Sequence, residues 1–96
     1  MYIISLTYKV PIATVEVHLE DHIAYLNLQY ELGNFQASGR KVPRTGGIIL
    51  STLKDKKQLE AVLAKDPFKI HDLATYELTE FIPSKTCDEW SFLKES

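Results

Sequence analysis

The stretch "YIISLTYK" (Tyr2–Lys9) decides the fold, because large apolar side chains alternate in it with small or polar ones. One side of the alternation holds Tyr2, Ile4, Leu6 and Tyr8, and the other holds Ser5, Thr7 and Lys9 after Ile3. A period of two residues is typical of a strand with one buried face. We therefore predict that the chain begins with a β-strand packed against a hydrophobic core.

Two helices follow from apolar residues at helical spacing. The first is predicted from Val15 to Leu32, where apolar positions recur until Gly33 supplies a left-handed stop. Its expected buried stripe consists of Val15, Leu19, Ile23, Leu26 and Tyr30. The second helix is predicted in "DKKQLEAVLAKDPF", with Asp55 as its capping residue, and it should stop before Pro67.

Three more strands are predicted in "NFQASGR" (34–40), "GGIILST" (46–52) and "TYELTEFI" (75–82). The order βαββαβ is that of the ferredoxin-like α+β fold, a four-stranded antiparallel sheet with both helices on one face. Residues 1–83 would form this domain. Residues 84–96 would form a C-terminal tail, with a short helix that packs through Trp90 and Leu93 on its own sheet or on a partner's.

The second face of such a sheet has no helices to cover it. We expect it to carry Ser5, Thr7, Ser38, Ser51, Glu77 and Thr79, interrupted by Ile3, Ile49 and Phe81. A mixed polar and apolar face suits an interface between two copies of the chain better than a fully solvated surface. The sequence therefore predicts a homodimer.

The composition narrows the class of function. The chain has 96 residues, 25% of them charged, and a net charge of −2, so it lacks the clustered positive charge of a nucleic-acid or membrane-surface protein. The apolar run at residues 2–6 is too short to span a membrane. With a single cysteine, Cys87, no internal disulfide forms, and we expect a reducing, cytoplasmic location.

His22 stands in the first helix where the apolar pattern calls for a Leu. One interpretation is a general acid or base whose imidazole is partly buried. The other is a core histidine that donates a ring N–H to a backbone carbonyl. His18 and His22 are four residues apart, but no cysteine or carboxylate at metal-ligand spacing accompanies them, so we predict neither a metal site nor a cofactor.

Two further segments carry candidate site residues. Asp66, directly before Pro67, either ends the second helix or orients an imidazole with its carboxylate. The loop "ASGRKVPRTGG" lacks the glycine spacing of a nucleotide-binding loop, yet Ser38, Arg44 and Thr45 could hold the oxygen of a small ligand there, or the loop is a tight turn with solvated charges.

Several short motifs in this order resemble the YciI-like (YCII-related) family of small bacterial proteins. They are "LTYKVP", His22 followed by "AYL", "ASG", "VPRTGGIIL", "AKDPF", "ATYELTEFIP" and "SK", and together they cover residues 1–85. The resemblance implies a dimeric α+β barrel of ferredoxin-like protomers with a His and an Asp in a cleft. Those roles fall on His22 and Asp66, and secondarily on Ser38 and Arg44. This chain departs from the family in having Arg40 where many relatives have a proline.

Some relatives are similar in fold to muconolactone isomerase, and one branch removes HCl from a chlorinated ring compound. The resemblance thus implies a cofactor-independent lyase or isomerase that acts on a small organic, anionic or cyclic substrate through a His–Asp pair. The alternative is a dimeric module that binds a metabolite without turnover. Loss of turnover in a His22 variant would separate these two hypotheses.

Overall fold

The structure, a computed structural model, describes residues 1–94. The strands are β1 (Tyr2–Tyr8), β2 (Ala37–Arg40), β3 (Gly46–Ser51) and β4 (Ala74–Glu80). The α-helices are α1 (Ile12–Val17), α2 (Leu19–Glu31), α3 (Lys56–Leu63) and α4 (Pro67–Ile70), and a 3₁₀ helix spans Asp88–Leu93. None of the helices within these residues is long and apolar enough to cross a membrane.

The four strands form one antiparallel sheet in the order β2-β3-β1-β4, which confirms the predicted α+β, ferredoxin-like fold. β1 lies between β3 and β4, so its alternation sets the two faces of the sheet. Tyr2, Ile4 and Leu6 are buried in the core between the sheet and the helices, while Ser5 and Thr7 face the other way.

The first predicted helix is two helices, α1 and α2, that meet at His18. The backbone of His18 (φ −107°, ψ 6°) leaves the helical region there. β-branched residues crowd α1, and their restricted side chains lower helix propensity, which accounts for the early break. The buried stripe also differs from the predicted one, because Val15, His22, Tyr25 and Gln29 are buried whereas Ile23 and Tyr30 are exposed.

The second predicted helix also ends early. α3 begins after Asp55, whose side chain accepts the Lys57 N–H at 2.9 Å as predicted, but it ends at Leu63. Pro67 does not end a helix: it opens the short helix α4, where its missing N–H costs nothing. The tyrosine hydroxyl of Tyr25 donates to the Val62 carbonyl at 2.7 Å and so joins α2 to α3.

The prediction for the open face of the sheet was wrong in β2 and β3. The pairing places Ser38 beside Ile49 and Ser51 beside Tyr2, so all three of Ser38, Ile49 and Ser51 lie on the helix-covered face. The fully buried Ser51 hydroxyl donates to the Asn34 carbonyl at 2.6 Å. The open face instead carries Ile48 and Leu50, both half-buried.

The tail holds a short helix, as expected, but of the 3₁₀ kind. Trp90, predicted to pack, is 57% exposed, whereas Leu93 is half-buried. Residues 95 and 96 of the predicted tail lie outside the described residues.

Candidate active site

The start of α4 holds a carboxylate in a defined position. Asp66 precedes a proline, which favours an extended backbone, and its φ and ψ are −66° and 126°. From there its Oδ1 accepts the Phe68 N–H at 3.0 Å and caps the helix. The side chain is fully buried, so it needs partners for both oxygens.

The imidazole of His22 supplies the second partner of Asp66. It lies on α2, on the face that packs over α4, and its Nδ1 is 2.7 Å from Asp66 Oδ1. Its ring stacks on the Phe68 ring with the two centroids 3.8 Å apart and the planes 3° from parallel. The tripeptide Asp66–Pro67–Phe68 therefore both bonds and supports the imidazole.

Tyr76 supplies the third partner from β4. Its hydroxyl donates to Asp66 Oδ2 at 2.6 Å. Burial, then the negative charge of Asp66 and this hydrogen bond, raise the pKa of Tyr76, so the phenol stays protonated as a donor. Three donors from α2, α4 and β4 thus converge on one carboxylate.

The contact with Asp66 determines which nitrogen of His22 carries the proton. A carboxylate that already accepts two N–H or O–H groups accepts a third, so Nδ1 carries the proton and Nε2 has a free lone pair. No hydrogen-bond partner is found for Nε2, yet within residues 1–94 no fully buried side-chain nitrogen or oxygen lacks one. Nε2 is therefore open to its surroundings although the residue is only 9% exposed.

His22 forms part of the wall of a cleft between α2 and the β2-β3-β1 side of the sheet, with a volume of about 410 Å³. Most of the residues that line it are apolar, namely Leu6, Tyr8, Leu19, Ile23, Leu26, Ile48, Ile49 and Phe68. The polar side chains are those of His22, Ser38, Arg40 and Arg44, and Gly47 leaves its position on the helix-covered face of β3 without a side chain.

The fold brings Ser38 and Arg44, but not Thr45, to this cleft. Ser38 hydrogen-bonds the hydroxyl of Tyr30, which links β2 to α2. Arg44 donates to Glu16 of α1 at 3.0 Å. Thr45 is absent from the lining, and its hydroxyl points to the Pro43 carbonyl at 3.4 Å.

Two residues of the site had no place in the sequence-based prediction. Tyr76 entered the prediction only as part of the last strand, and its position beside Asp66 depends on the β1-β4 register, which the sequence does not reveal. Arg40 was noted only as a departure from the family. The sequence could have indicated Arg40 as a site residue, because Ser38 and Arg40 are two residues apart in a strand and therefore share a face.

The other candidate groups lie outside the cleft. His18 stacks on His71 with centroids 4.0 Å apart, and this contact joins the start of α2 to the end of α4. Across residues 1–94, no three side chains of the His, Cys, Asp or Glu types gather in a way that could hold a metal ion. Cys87 is an exposed free thiol.

The four-stranded antiparallel sheet and its helices place the chain among the small α+β proteins of the ferredoxin-like fold. The chain belongs to the YCII-related domain family, whose pattern matches residues 1–82. This confirms the resemblance inferred from the motifs. Among curated proteins, none matches the chain.

Several solved structures are similar to this chain in fold. One of them is 5-chloro-2-hydroxyhydroquinone dehydrochlorinase from Burkholderia phenoliruptrix AC1100, in complex with 2,5-dihydroxybenzoquinone. The TM-score is 0.72 at 15% sequence identity, over 85% of this chain and 93% of that one. At this identity the similarity establishes the shared fold alone.

Proposed function

We propose that this protein is a small, cofactor-independent enzyme that performs acid-base chemistry with His22 and Asp66 on a small organic substrate. The observation that carries the proposal is the 2.7 Å contact between His22 Nδ1 and a fully buried carboxylate at the wall of a cleft. A core histidine satisfied by a backbone carbonyl would need neither the carboxylate nor the cleft.

In the proposed reaction, Nε2 of His22 accepts a proton from a carbon or hydroxyl of the substrate. In a lyase step, the electron pair left behind forms a double bond as a leaving group departs. In an isomerase step, the proton returns to another atom of the substrate. Asp66 orients the ring and stabilises the imidazolium that forms. One acid-base group of this kind contributes roughly 10²- to 10⁴-fold in rate.

The walls of the cleft favour a small cyclic or anionic substrate. Most of the lining is apolar, and we propose that Ser38 and Arg44, which also line the cleft, hold an oxygen of the substrate. A relative in fold that is a dehydrochlorinase, and that binds a dihydroxybenzoquinone, supports a ring compound with oxygen substituents.

The test is a screen for turnover with lactones, chlorinated phenols and enol acids, followed by His22→Gln. We expect that variant to lose at least about 100-fold in kcat. His71→Gln is the matched control, because it removes an imidazole that lies outside the cleft. If both variants keep wild-type turnover, acid-base catalysis by His22 is refuted. If no compound turns over but ligands bind and shift the melting temperature, the protein is the metabolite-binding module of the alternative hypothesis.

A second measurement needs no substrate. Long-range ¹H–¹⁵N NMR spectra of the histidine rings report which nitrogen is protonated. We expect His22 to carry its proton on Nδ1 in the wild type. In Asp66→Ala the Nδ1–H loses its acceptor, and the neutral ring should shift toward the other tautomer. A wild-type His22 protonated only on Nε2 would contradict the proposed role of the pair.

We also propose that the protein is a homodimer formed through the open face of the sheet. That face presents Ile3, Ile48 and Leu50 among polar residues. An apolar patch of this kind in a small domain is typical of a surface that binds another protein chain. Sedimentation at micromolar concentration should give a dimer, and Leu50→Lys, on the open face and outside the cleft lining, should dissociate it. Val42→Lys, in an exposed loop, is the control. A wild-type monomer would refute the interface.

The remaining proposals concern the tail and the location. We infer that residues 84–96 are an appendage to the domain of residues 1–83, so that truncation after Pro83 should leave the domain folded. The free thiol of Cys87 fits a reducing, cytoplasmic compartment.

A further inference from the structure

Arg40 places a positive charge in the cleft, at the end of β2. We propose that Arg40 selects the substrate class of this protein, by binding the carboxylate of a small unsaturated or aromatic acid. This inference rests on the proposed function, because it concerns the ligand of the same cleft.

The sheet presents the Arg40 side chain to the cleft. Arg40 lies opposite Gly47 of β3, and Gly47 lies opposite Leu6 of β1, so these three positions share the helix-covered face. Gly47 has no side chain to occupy the space beside the guanidinium. An exposed arginine next to a bare stretch of backbone leaves room for a ligand group to reach it.

The charge of Arg40 is not compensated by its surroundings. Arg44, the other arginine of the cleft, is paired with Glu16 at 3.0 Å. Arg40 has no hydrogen bond or ion pair through its side chain within residues 1–94, and no Asp or Glu contributes to the lining. A ligand that fills the cleft would displace water from the Arg40 guanidinium, and the lost hydration would weaken binding unless the ligand carries an anionic group that pairs with it.

The rest of the lining specifies the body of the ligand. The lining that contains Arg40 and His22 also contains aliphatic side chains, among them those of Leu19, Ile23 and Ile49. An apolar wall with a few polar groups binds a flat hydrocarbon skeleton and fixes its orientation through the polar ends. A carboxylate at Arg40 would therefore direct the other end of the molecule toward Nε2 of His22.

The test uses pairs of probes that differ only in charge: benzoate with benzamide, and crotonate with crotonamide. Dissociation constants come from ¹H–¹⁵N NMR titrations up to about 20 mM, a range that detects millimolar binding. We expect the wild type to prefer at least one carboxylate over its amide by roughly tenfold or more, since a hydrogen bond between charged partners contributes that much. Arg40→Gln should abolish this preference and leave amide binding unchanged.

Lys41→Gln is the matched control. It removes the same charge one residue away, from a side chain that donates to Thr7 and does not line the cleft. The preference should persist in this variant, and unchanged amide spectra in both variants show that they fold. The proposal is overturned if the wild type shows no preference, if Arg40→Gln retains it, or if Lys41→Gln loses it equally.

The outcome is separable from that of the catalytic test. Probe binding involves no proton transfer, so His22→Gln should retain the preference for the carboxylate even where it abolishes turnover. If Arg40→Gln loses the preference for the carboxylate but no His22-dependent turnover is found, the proposed enzyme is refuted and the anion site at Arg40 is supported. Turnover that depends on His22, without any preference for the carboxylate probe, would support the proposed enzyme and refute the anion site at Arg40.

Discussion

Removing the carboxylate of Asp66 is the perturbation whose cost can be worked out most directly from the structure. In Asp66→Ala three donors lose their acceptor: the Phe68 N–H, the Nδ1–H of His22 and the hydroxyl of Tyr76. A buried donor left without a partner costs about 1 to 3 kcal/mol. The phenol can rotate and the imidazole can change tautomer, so two of the three are partly relieved. We expect a loss of about 3 to 5 kcal/mol, a large part of the 5 to 15 kcal/mol typical of a domain.

Asp55→Ala is the matched control for this measurement. Asp55 caps α3 as Asp66 caps α4, but it is exposed and bonds only the backbone of Lys57. Its loss should cost about 1 kcal/mol. Asp66→Asn should lie between the two at about 1 to 2 kcal/mol, because the amide oxygen still accepts and its NH₂ group can donate to Tyr76.

The assay is urea unfolding followed by circular dichroism, with all variants at one protein concentration because a dimer unfolds in a concentration-dependent manner. The difference between the two alanine variants isolates the contacts of Asp66 with His22 and Tyr76. If Asp66→Ala loses no more free energy of unfolding than Asp55→Ala, the carboxylate is not the shared acceptor described above.

Two further predictions concern the sheet. Gly46→Ala should lower the melting temperature by more than about 10 °C, because a Cβ there would lie 1.7 Å from the Leu6 carbonyl oxygen. Gly39→Ala is the control and should melt close to the wild type, because nothing lies within 4 Å of its Cβ. Equal melting temperatures of the two variants would refute this prediction. The raised pKa of Tyr76 means that the folded state holds this proton above pH 10 while the unfolded state releases it, so its contribution to stability is present below about pH 10 and declines as the pH rises. Tyr76→Phe should therefore be less stable than wild type at pH 8, with a difference that shrinks by up to about 1.4 kcal/mol per pH unit above pH 10, as urea midpoints would show; a constant difference would contradict it.

Periodicity predicted the parts of the fold where the two faces differ clearly in polarity. β1 alternates strictly, and its buried face was predicted correctly. In "GGIILST" the three residues Ile48–Leu50 are all apolar, so the pattern does not tell which of them face the core. The prediction that Ile49 and Ser51 lie on the open face was accordingly wrong. In α2 the polar residues His22 and Gln29 occupy the centre of the buried face. A buried face predicted from the apolar residues alone was therefore displaced by about one residue from the observed one.

The candidate site shows the same limit at longer range. Residue types and the family resemblance pointed to His22 and Asp66, which are 44 residues apart in sequence. Nothing in the local pattern of "TYELTE" distinguishes the hydroxyl of Tyr76 from that of any other core tyrosine. Its contact with Asp66 arises from β4 pairing with β1, a non-local event that becomes visible only in three dimensions.

The capping role of Asp66 has a consequence for how this family diverges. Because the carboxylate begins α4 and gathers donors from three elements, selection for folding alone is enough to preserve it. An aspartate at this position is therefore evidence of the fold and not, by itself, of the proposed activity.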